Sequence, residues 1–336
     1  MHPPVPSRPS EPTPADLEVV LVSYRSRGHV QQLLDGWPGD LPVTLVDNSA
    51  NVDGIAELAR TRPGLRYVDG GGQGFARSAN LGARRATAPY VVFVNPDSRP
   101  TAEQLARLVE GLRDDPSAAA YAGTPAGRDG AAEIGAAGWE PSVRRLLVYA
   151  TGLQKVLPRS GFFARPAPGE ELAVDWVCGA CLAVRRDQFL ELGGFDEAFY
   201  VYAEDMSFGR RAREHGLRSV LRTDVVVPHG AGSSGAPSQE MLRLRGASFA
   251  GYLKRYHPGP AGVAMRAAFA AGALARGAAH RLRRDRATSR LDWALTVGTL
   301  TQRAYVGGQE VARSRFRETE PAAPPAPAEA GPAGGS

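Results

Sequence analysis

The chain has 336 residues, 43% hydrophobic and 22% charged, which excludes wholesale disorder and leaves ample material for one large domain or two modest ones. Two cysteines are too few for a disulfide-stapled scaffold. The net charge of +5 is uneven: residues 240–317 carry 15 basic and 4 acidic side chains, net +11, whereas residues 1–239 sum to −3. In chain order, residues 1–15 are Pro-rich and lack the apolar run of a signal peptide. They read as a disordered leader on a cytoplasmic protein. Residues 19–22 form a β-branched run entering Ser23-Tyr24, and residues 30–34 fit a helix. A second apolar run, 43–46, ends in Asp47-Asn48-Ser49. Residues 54–60 read as helix, 66–68 as strand, and Gly70 to Gly74 as a Gly-rich turn before another helix. Residues 90–94 make the strongest strand, ending at Asn95-Pro96-Asp97. Thr101 with Gln104 then forms a capping box for a helix reaching about Arg113.

Continuous apolar strands alternating with helices predict an α/β fold with a mostly parallel sheet covered on both faces. In such sheets ligands bind beyond the carboxyl ends of the strands. Those ends carry Ser23-Tyr24, Asp47-Asn48 and Asn95-Pro96-Asp97. Further on, residues 176–184 read as one buried strand, and 187–192 as a short helix stopped by Gly193-Gly194. Residues 195–205 crowd aromatics around carboxylates. A helix from Met206 to His215 closes at Gly216, and 225–227 leads into Pro228-His229.

These residues resemble the inverting family 2 glycosyltransferases with the GT-A fold, a Rossmann-like sheet sandwiched by helices, in their bacterial rhamnosyltransferase-like branch. The resemblance covers residues 17–235. It rests on Val22-Ser23-Tyr24, Asp47-Asn48-Ser49, Gly74-Phe75-Ala76 with Asn80-Leu81-Gly82, and Asn95-Pro96-Asp97. It continues through Gly193-Gly194-Phe195-Asp196-Glu197, Glu204-Asp205, and His229 before Gly232-Ser233. It implies a nucleoside diphosphate sugar donor, a divalent metal and an acceptor hydroxyl.

Sugar transfer needs charge neutralisation on the diphosphate, a base for the acceptor and a pocket for the nucleobase. Asp97 is a hard carboxylate suited to Mg²⁺ or Mn²⁺, and the resemblance supplies His229 as second ligand. Asn-Pro-Asp also reads as a plain turn. Asp205 suits a general base and equally a first-turn helix residue, and the two roles are compatible. Glu204 reads as its orienting or acceptor-binding neighbour. Asp47 resembles the family's nucleobase-binding Asp, with an Asx turn as the plain alternative. Gly72-Gln73-Gly74 lacks the third glycine of a dinucleotide fingerprint, and Gly72 stands where the family often has Asn. Ser23, Tyr24, Gly74, Arg77, Asn80 and Asn95 complete the expected donor site, with Arg77 reaching a phosphate. By resemblance, Trp176 and Gly179 shape the acceptor pocket, though Trp is also an ordinary core residue. Cys178 and Cys181 are expected to pack in the core, because residues three apart on a strand face opposite ways.

The expected domains are a GT-A domain over 16–239, a basic helical extension over 240–317 and a disordered Pro/Ala/Gly tail over 318–336. Arg281, Arg283, Arg284 and Arg286 suggest docking on an anionic membrane, with a solvated face packed on the core as the alternative. Nucleic acid is not expected, since no recognised module accompanies the charge. The leading expectation is a metal-dependent inverting transferase moving rhamnose from dTDP-rhamnose to a lipid-linked or cell-envelope glycan, at the inner face of the plasma membrane. Another UDP- or dTDP-sugar, a small-molecule acceptor, and a non-catalytic sugar-nucleotide-binding or membrane scaffold remain the alternatives.

Overall fold

The structure, a computed structural model, describes residues 16–302 apart from 128–129, 166, 168 and 231–237. The expected leader and tail, the end of the basic extension and Gly232-Ser233 lie outside the described residues.

Four parallel strands open the chain: β1 (Leu17–Ser23), β2 (Val43–Asp47), β3 (Leu65–Asp69) and β4 (Tyr90–Val94). Between them run α1 (Arg27–Asp35), the single turn α2 (Leu58–Thr61) and α3 (Phe75–Arg85). The following helix, α4 (Ala102–Asp114), starts at the expected capping box, with both reciprocal Thr101–Gln104 bonds made. The next strand, β5 (Ala118–Ala126), has no β-branched run and was not expected. After it come β6 (Ala137–Gly138), α5 (Val143–Ala150), β7 (Glu171–Val174) and β8 (Trp176–Val177). β9 (Cys181–Arg185), α6 (Arg186–Glu191), α7 (Glu204–Glu214) and β10 (Arg218–Pro228) complete the body. The main sheet runs β3-β2-β1-β4-β9-β5-β10-β7, and β9 and β7 are antiparallel to their neighbours. It is a mostly parallel α/β sheet, as expected.

The strand expected over 176–184 is broken into β8 and β9 by Cys178-Gly179-Ala180. The alternation argument for the two cysteines therefore fails, since Cys178 lies in the break. Both thiols are free and burial pushes each up to about 12; Cys181 packs in the core as expected, whereas Cys178 is half-buried and outside it.

Strand alternation divides the core. Val19, Leu21, Leu45 and Val92 face α1 and α4, whereas Val20, Val91, Phe93 and Leu182 face α3, α6 and α7. A third cluster lies over α7, built by α8 (Ser238–Tyr256), α9 (Pro260–Leu282) and α10 (Arg286–Thr301). It joins Phe162, Trp176, Phe199 and Met206 to Phe249, Tyr252, Phe269 and Leu295. Glu140 pins this layer to α7. It accepts from Arg210 on α7 at 2.9 Å, from the Tyr252 hydroxyl on α8 at 2.9 Å, and from His257 at 2.8 Å. Burial favours protonating Glu140, but these partners outweigh it and hold its carboxyl below the ordinary range.

Candidate active site

A cavity of about 670 Å³ opens beyond the carboxyl ends of β1, β2 and β4. Ser23 and Tyr24 reach it from β1, Asn48 from just after β2, and Asn95 and Asp97 from the turn after β4. Gly74, Trp176, Gly179, Glu204, Asp205 and His229 complete the expected residues that line it.

Asp97 and His229 meet because the backbone brings their strands' ends together. Ser98 and His229 form an antiparallel bridge, and the Gly230 amide donates to the Asp97 carbonyl at 2.9 Å. His229 Nε2 stands 3.3 Å from Asp97 Oδ1, yet it is buried and lacks hydrogen-bond geometry to any described partner. On the other side of the ring, Nδ1 lies 2.9 Å from Glu133 Oε2. An ionised carboxylate only accepts, so Nδ1 carries the proton and Nε2 is turned toward Asp97. Burial disfavours the imidazolium, but Asp97 and Glu133 together outweigh it and raise its pKa. An orphaned, oriented imidazole nitrogen beside a buried carboxylate is a donor pair that fits a divalent cation. Among the described residues no cluster of three or more ligating side chains exists. Mg²⁺ and Mn²⁺ tolerate that, since they characteristically take one or two protein ligands and fill the rest with phosphate oxygens and water.

Glu204 and Asp205 open α7, where the helix N-terminus favours negative charge. The chain enters through Tyr202 and Ala203, both left-handed at φ 67° and 69°. Two consecutive non-glycine residues there cost about 1–2 kcal/mol each, a strain held by the surrounding packing. Asp205 is half-buried and opens onto the cavity. Burial pushes its carboxyl up to about 6, against the Met206 amide, which donates to it at 2.7 Å, and against the charge of Arg245. Burial and the neighbouring Asp205 raise Glu204 well above the ordinary range, and its Oε2 has no described partner. Burial thus favours a proton on this coupled pair, and Asp205, which opens onto the cavity, is placed to exchange it.

Gly74 lets the loop before α7 dock. At φ 91° and ψ 175° it occupies a region open essentially only to glycine, and a Cβ there would overlap the Tyr200 carbonyl, which accepts from the Phe75 amide at 2.8 Å. Gly74→Ala should therefore cost about 1–3 kcal/mol from backbone conformation alone, plus the displacement of Tyr200. Gly71→Ala, at φ 62° with open space around it, should cost only the conformational part. Paired thermal melts and turnover measurements check this: equal melting and equal rates would detach Gly74 from the loop.

Two family profiles cover the part of the chain that builds this cavity. The profile of glycosyl transferase family 2 matches residues 24–166, and that of glycosyl transferase family 21 matches 153–243. The N-acetylglucosaminyl-diphospho-decaprenol L-rhamnosyltransferase of Mycobacterium tuberculosis is 28% identical over 270 residues, covering 72% of this chain and 85% of the relative. Rhamnosyltransferase WbbL of Escherichia coli is 23% identical over 218 residues, covering 60% of this chain and 78% of the relative. The chain is a glycosyltransferase, similar over residues 24–166 to family 2. Its GT-A fold is shared with a Pyrobaculum calidifontis mannosyltransferase solved with GDP-mannose and Mn²⁺, at TM-score 0.57 and 20% identity over 90% of this chain and 91% of that one.

Within this glycosyltransferase, three residues expected at the donor site are not brought to the cavity. Asp47 is fully buried, and its oxygens accept from the Ser49 amide and hydroxyl, the Asn51 amide and the Tyr67 hydroxyl. It pins the loop after β2, the Asx-type alternative, and its neighbour Asn48 lines the cavity instead. Arg77 points away, pairing with Glu197 at 2.9 Å, so the expected phosphate contact is absent. Asn80 is buried and clamps the turn at Phe195, donating to its carbonyl and accepting from its amide, both at 2.8 Å. Trp176 is buried in the third core with only an edge on the cavity, and Gly179 lies against Phe75. Sequence reasoning missed Glu133, Tyr202 and Arg245. Glu133 sits in a Gly/Ala-rich loop without periodicity, and Arg245 was one of many arginines in the basic segment.

Proposed function

We propose that this glycosyltransferase moves rhamnose, with inversion, from dTDP-rhamnose to a hydroxyl of an isoprenoid-diphosphate-linked sugar in cell-envelope assembly. The observation that carries the chemistry is Asp205, raised and open to a cavity whose other wall holds Asp97 and His229. The relatives' rhamnosyltransferase and decaprenol names support the substrates. Asp97 and His229 would hold a divalent cation, Mg²⁺ or Mn²⁺, which supplies Lewis-acid neutralisation of the diphosphate. Asp205 takes the acceptor proton as that oxygen bonds to the anomeric carbon. The carbon–oxygen bond to phosphate breaks on the opposite face, and its electron pair leaves with the nucleoside diphosphate. Glu204 orients Asp205 or the acceptor. The test offers radiolabelled dTDP-rhamnose, UDP-N-acetylglucosamine and GDP-mannose with a polyprenyl diphosphate-linked N-acetylglucosamine and measures label in the lipid extract. Transfer from dTDP-rhamnose no faster than from the others would overturn the donor assignment. No label in the lipid phase from any donor would overturn the acceptor.

The same reading places the enzyme against a membrane. No described helix is long and apolar enough to cross one. At the junction of α9 and α10, Leu282 is 86% exposed and flanked by exposed Arg281, Arg283, Arg284 and Arg286, with Trp293 57% exposed nearby in sequence. Basic residues around exposed apolar ones suit an anionic leaflet, at about 1 kcal/mol per arginine. Replacing the four arginines by Gln should weaken binding to anionic liposomes by up to about 4 kcal/mol and leave soluble-acceptor turnover intact. Equal sedimentation of parent and variant would remove the membrane assignment.

A further inference from the structure

The cavity has a second half that the donor and the base leave unexplained. Away from Asp97 and His229 it is walled by Phe162, Phe163, Met241, Phe249, Phe269 and Leu291, from the segment after α5 and from α8–α10. Open apolar volume of this kind is costly to leave wet, and the third core cluster continues behind it. Tyr149 on α5 stacks on Phe269 at 5.5 Å.

One cation stands where the two halves meet. Arg245, from α8, is the only Arg or Lys among the described lining residues. Its guanidinium lies 5.8 Å from the ring centres of both Phe163 and Tyr202 and rests near Gly135, where an added Cβ would come within 2.8 Å. It makes no ion pair with any described residue, although the molecule's other arginines repeatedly do. Its charge is felt by Asp205 on one side and by Tyr149, in the apolar cluster, on the other. Aromatic faces hold the fork in place without satisfying its donors, and those donors match phosphate oxygens.

We propose that Arg245 and the apolar half form the acceptor subsite, Arg245 taking the phosphate next to the acceptor sugar and the Phe249–Phe269 wall taking the first isoprene units. This rests on the reading of a lipid-linked acceptor and names the residues that would select it. The ligand would run with its hydroxyl at Asp205, its anion at Arg245 and its hydrocarbon against Phe162 and Phe163, α8 and α9. A soluble sugar would leave both the cation and the apolar wall without partners.

The probe is farnesyl diphosphate, titrated calorimetrically into the full chain presaturated with dTDP and Mn²⁺, beside farnesol and inorganic pyrophosphate. Farnesyl diphosphate should bind at least about tenfold tighter than either half-ligand. Arg245→Gln should remove that advantage, Arg245→Lys should keep part of it, and farnesol binding should be the same in all three. Met241→Gln, on the apolar wall, should weaken both isoprenoids and leave pyrophosphate alone. The affinity for dTDP itself should not change in Arg245→Gln. Unchanged farnesyl diphosphate affinity in Arg245→Gln overturns the subsite, and a fall in dTDP affinity overturns it by assigning Arg245 to the donor. The lipid-transfer assay separates the two readings. Lipid product with an unchanged acceptor KM in Arg245→Gln sinks the subsite alone. Arg245-dependent farnesyl diphosphate binding without lipid product supports the subsite and sinks the acceptor assignment.

Discussion

Asp205→Asn is expected to lower turnover by about 10²–10⁴-fold and, at the same time, to make the folded protein more stable at neutral pH. Both effects have one cause. Burial raises the folded-state pKa of Asp205 to about 6, above its ordinary value near about 4, and raises Glu204 as well. The native state therefore binds protons more tightly than the unfolded chain. The pair's contribution is fully favourable below the unfolded value and is lost as pH climbs to about 6. Above that, the fold carries a buried charge compensated only in part by the Met206 amide and Arg245. Asn keeps an oxygen for the Met206 amide but cannot ionise, so it removes a penalty on the order of 1–3 kcal/mol. Denaturant titrations at pH 5 and 7.5 should show the parent losing stability between them and the variant losing less. Parent turnover should rise over the same interval as the base ionises. A variant that is both inactive and less stable would make Asp205 a helix-start residue whose loss breaks the loop.

The parts of this fold that were legible in the sequence are those where local and tertiary demands agree. β1, β2 and β4 are mostly apolar runs rich in valine because both faces are covered. The Thr101–Gln104 box is local chemistry, and both of its bonds are made. β5 was not legible. Ala118 to Ala126 is alanine-rich with Gly123 and Pro125, and its strand character comes from pairing with β9 and β10, which neighbouring sequence does not encode. Small residues suit it, since Val225 and Val227 crowd the place a Gly123 side chain would occupy. The break between β8 and β9 was equally hidden, because an apolar run looks alike whether or not Gly179 turns it aside to open a cavity.

For the site, residues at strand ends were readable because topology alone sends them to the same edge. That logic placed Ser23, Tyr24, Asn95 and Asp97 at the cavity, and the resemblance added His229. Asp47 and Arg77 do not line it, since the end of a strand or the start of a helix does not say which way a side chain turns. Asp47 turns back into its own loop and Arg77 out to Glu197. Glu133 and Arg245 gain meaning only through partners distant in sequence, His229 in one case and the Phe163–Tyr202 pair with Asp205 in the other.

Glu133 also yields the most discriminating test of the metal. Asp97→Ala and His229→Ala should each abolish Mn²⁺-dependent nucleotide binding, and EDTA should abolish transfer. Loss of a ligand alone does not separate a metal pair from an ion pair, because either would tie the end of β4 to the end of β10. Glu133 reaches the pair through His229, holding the proton on its Nδ1. Glu133→Gln keeps the shape and removes the charge, so Nε2 becomes a poorer and less oriented donor. Metal affinity should then fall by about 10–100-fold, with saturating Mn²⁺ restoring turnover. In an ion-pair account the same change has no reason to respond to Mn²⁺ at all. Titrating Mn²⁺ against parent and Glu133→Gln distinguishes them: a right-shifted curve reaching the same plateau fits the metal pair. Superimposed curves, or full activity in EDTA, would leave Asp97 and His229 as a structural clasp and require another group to carry the diphosphate's charge.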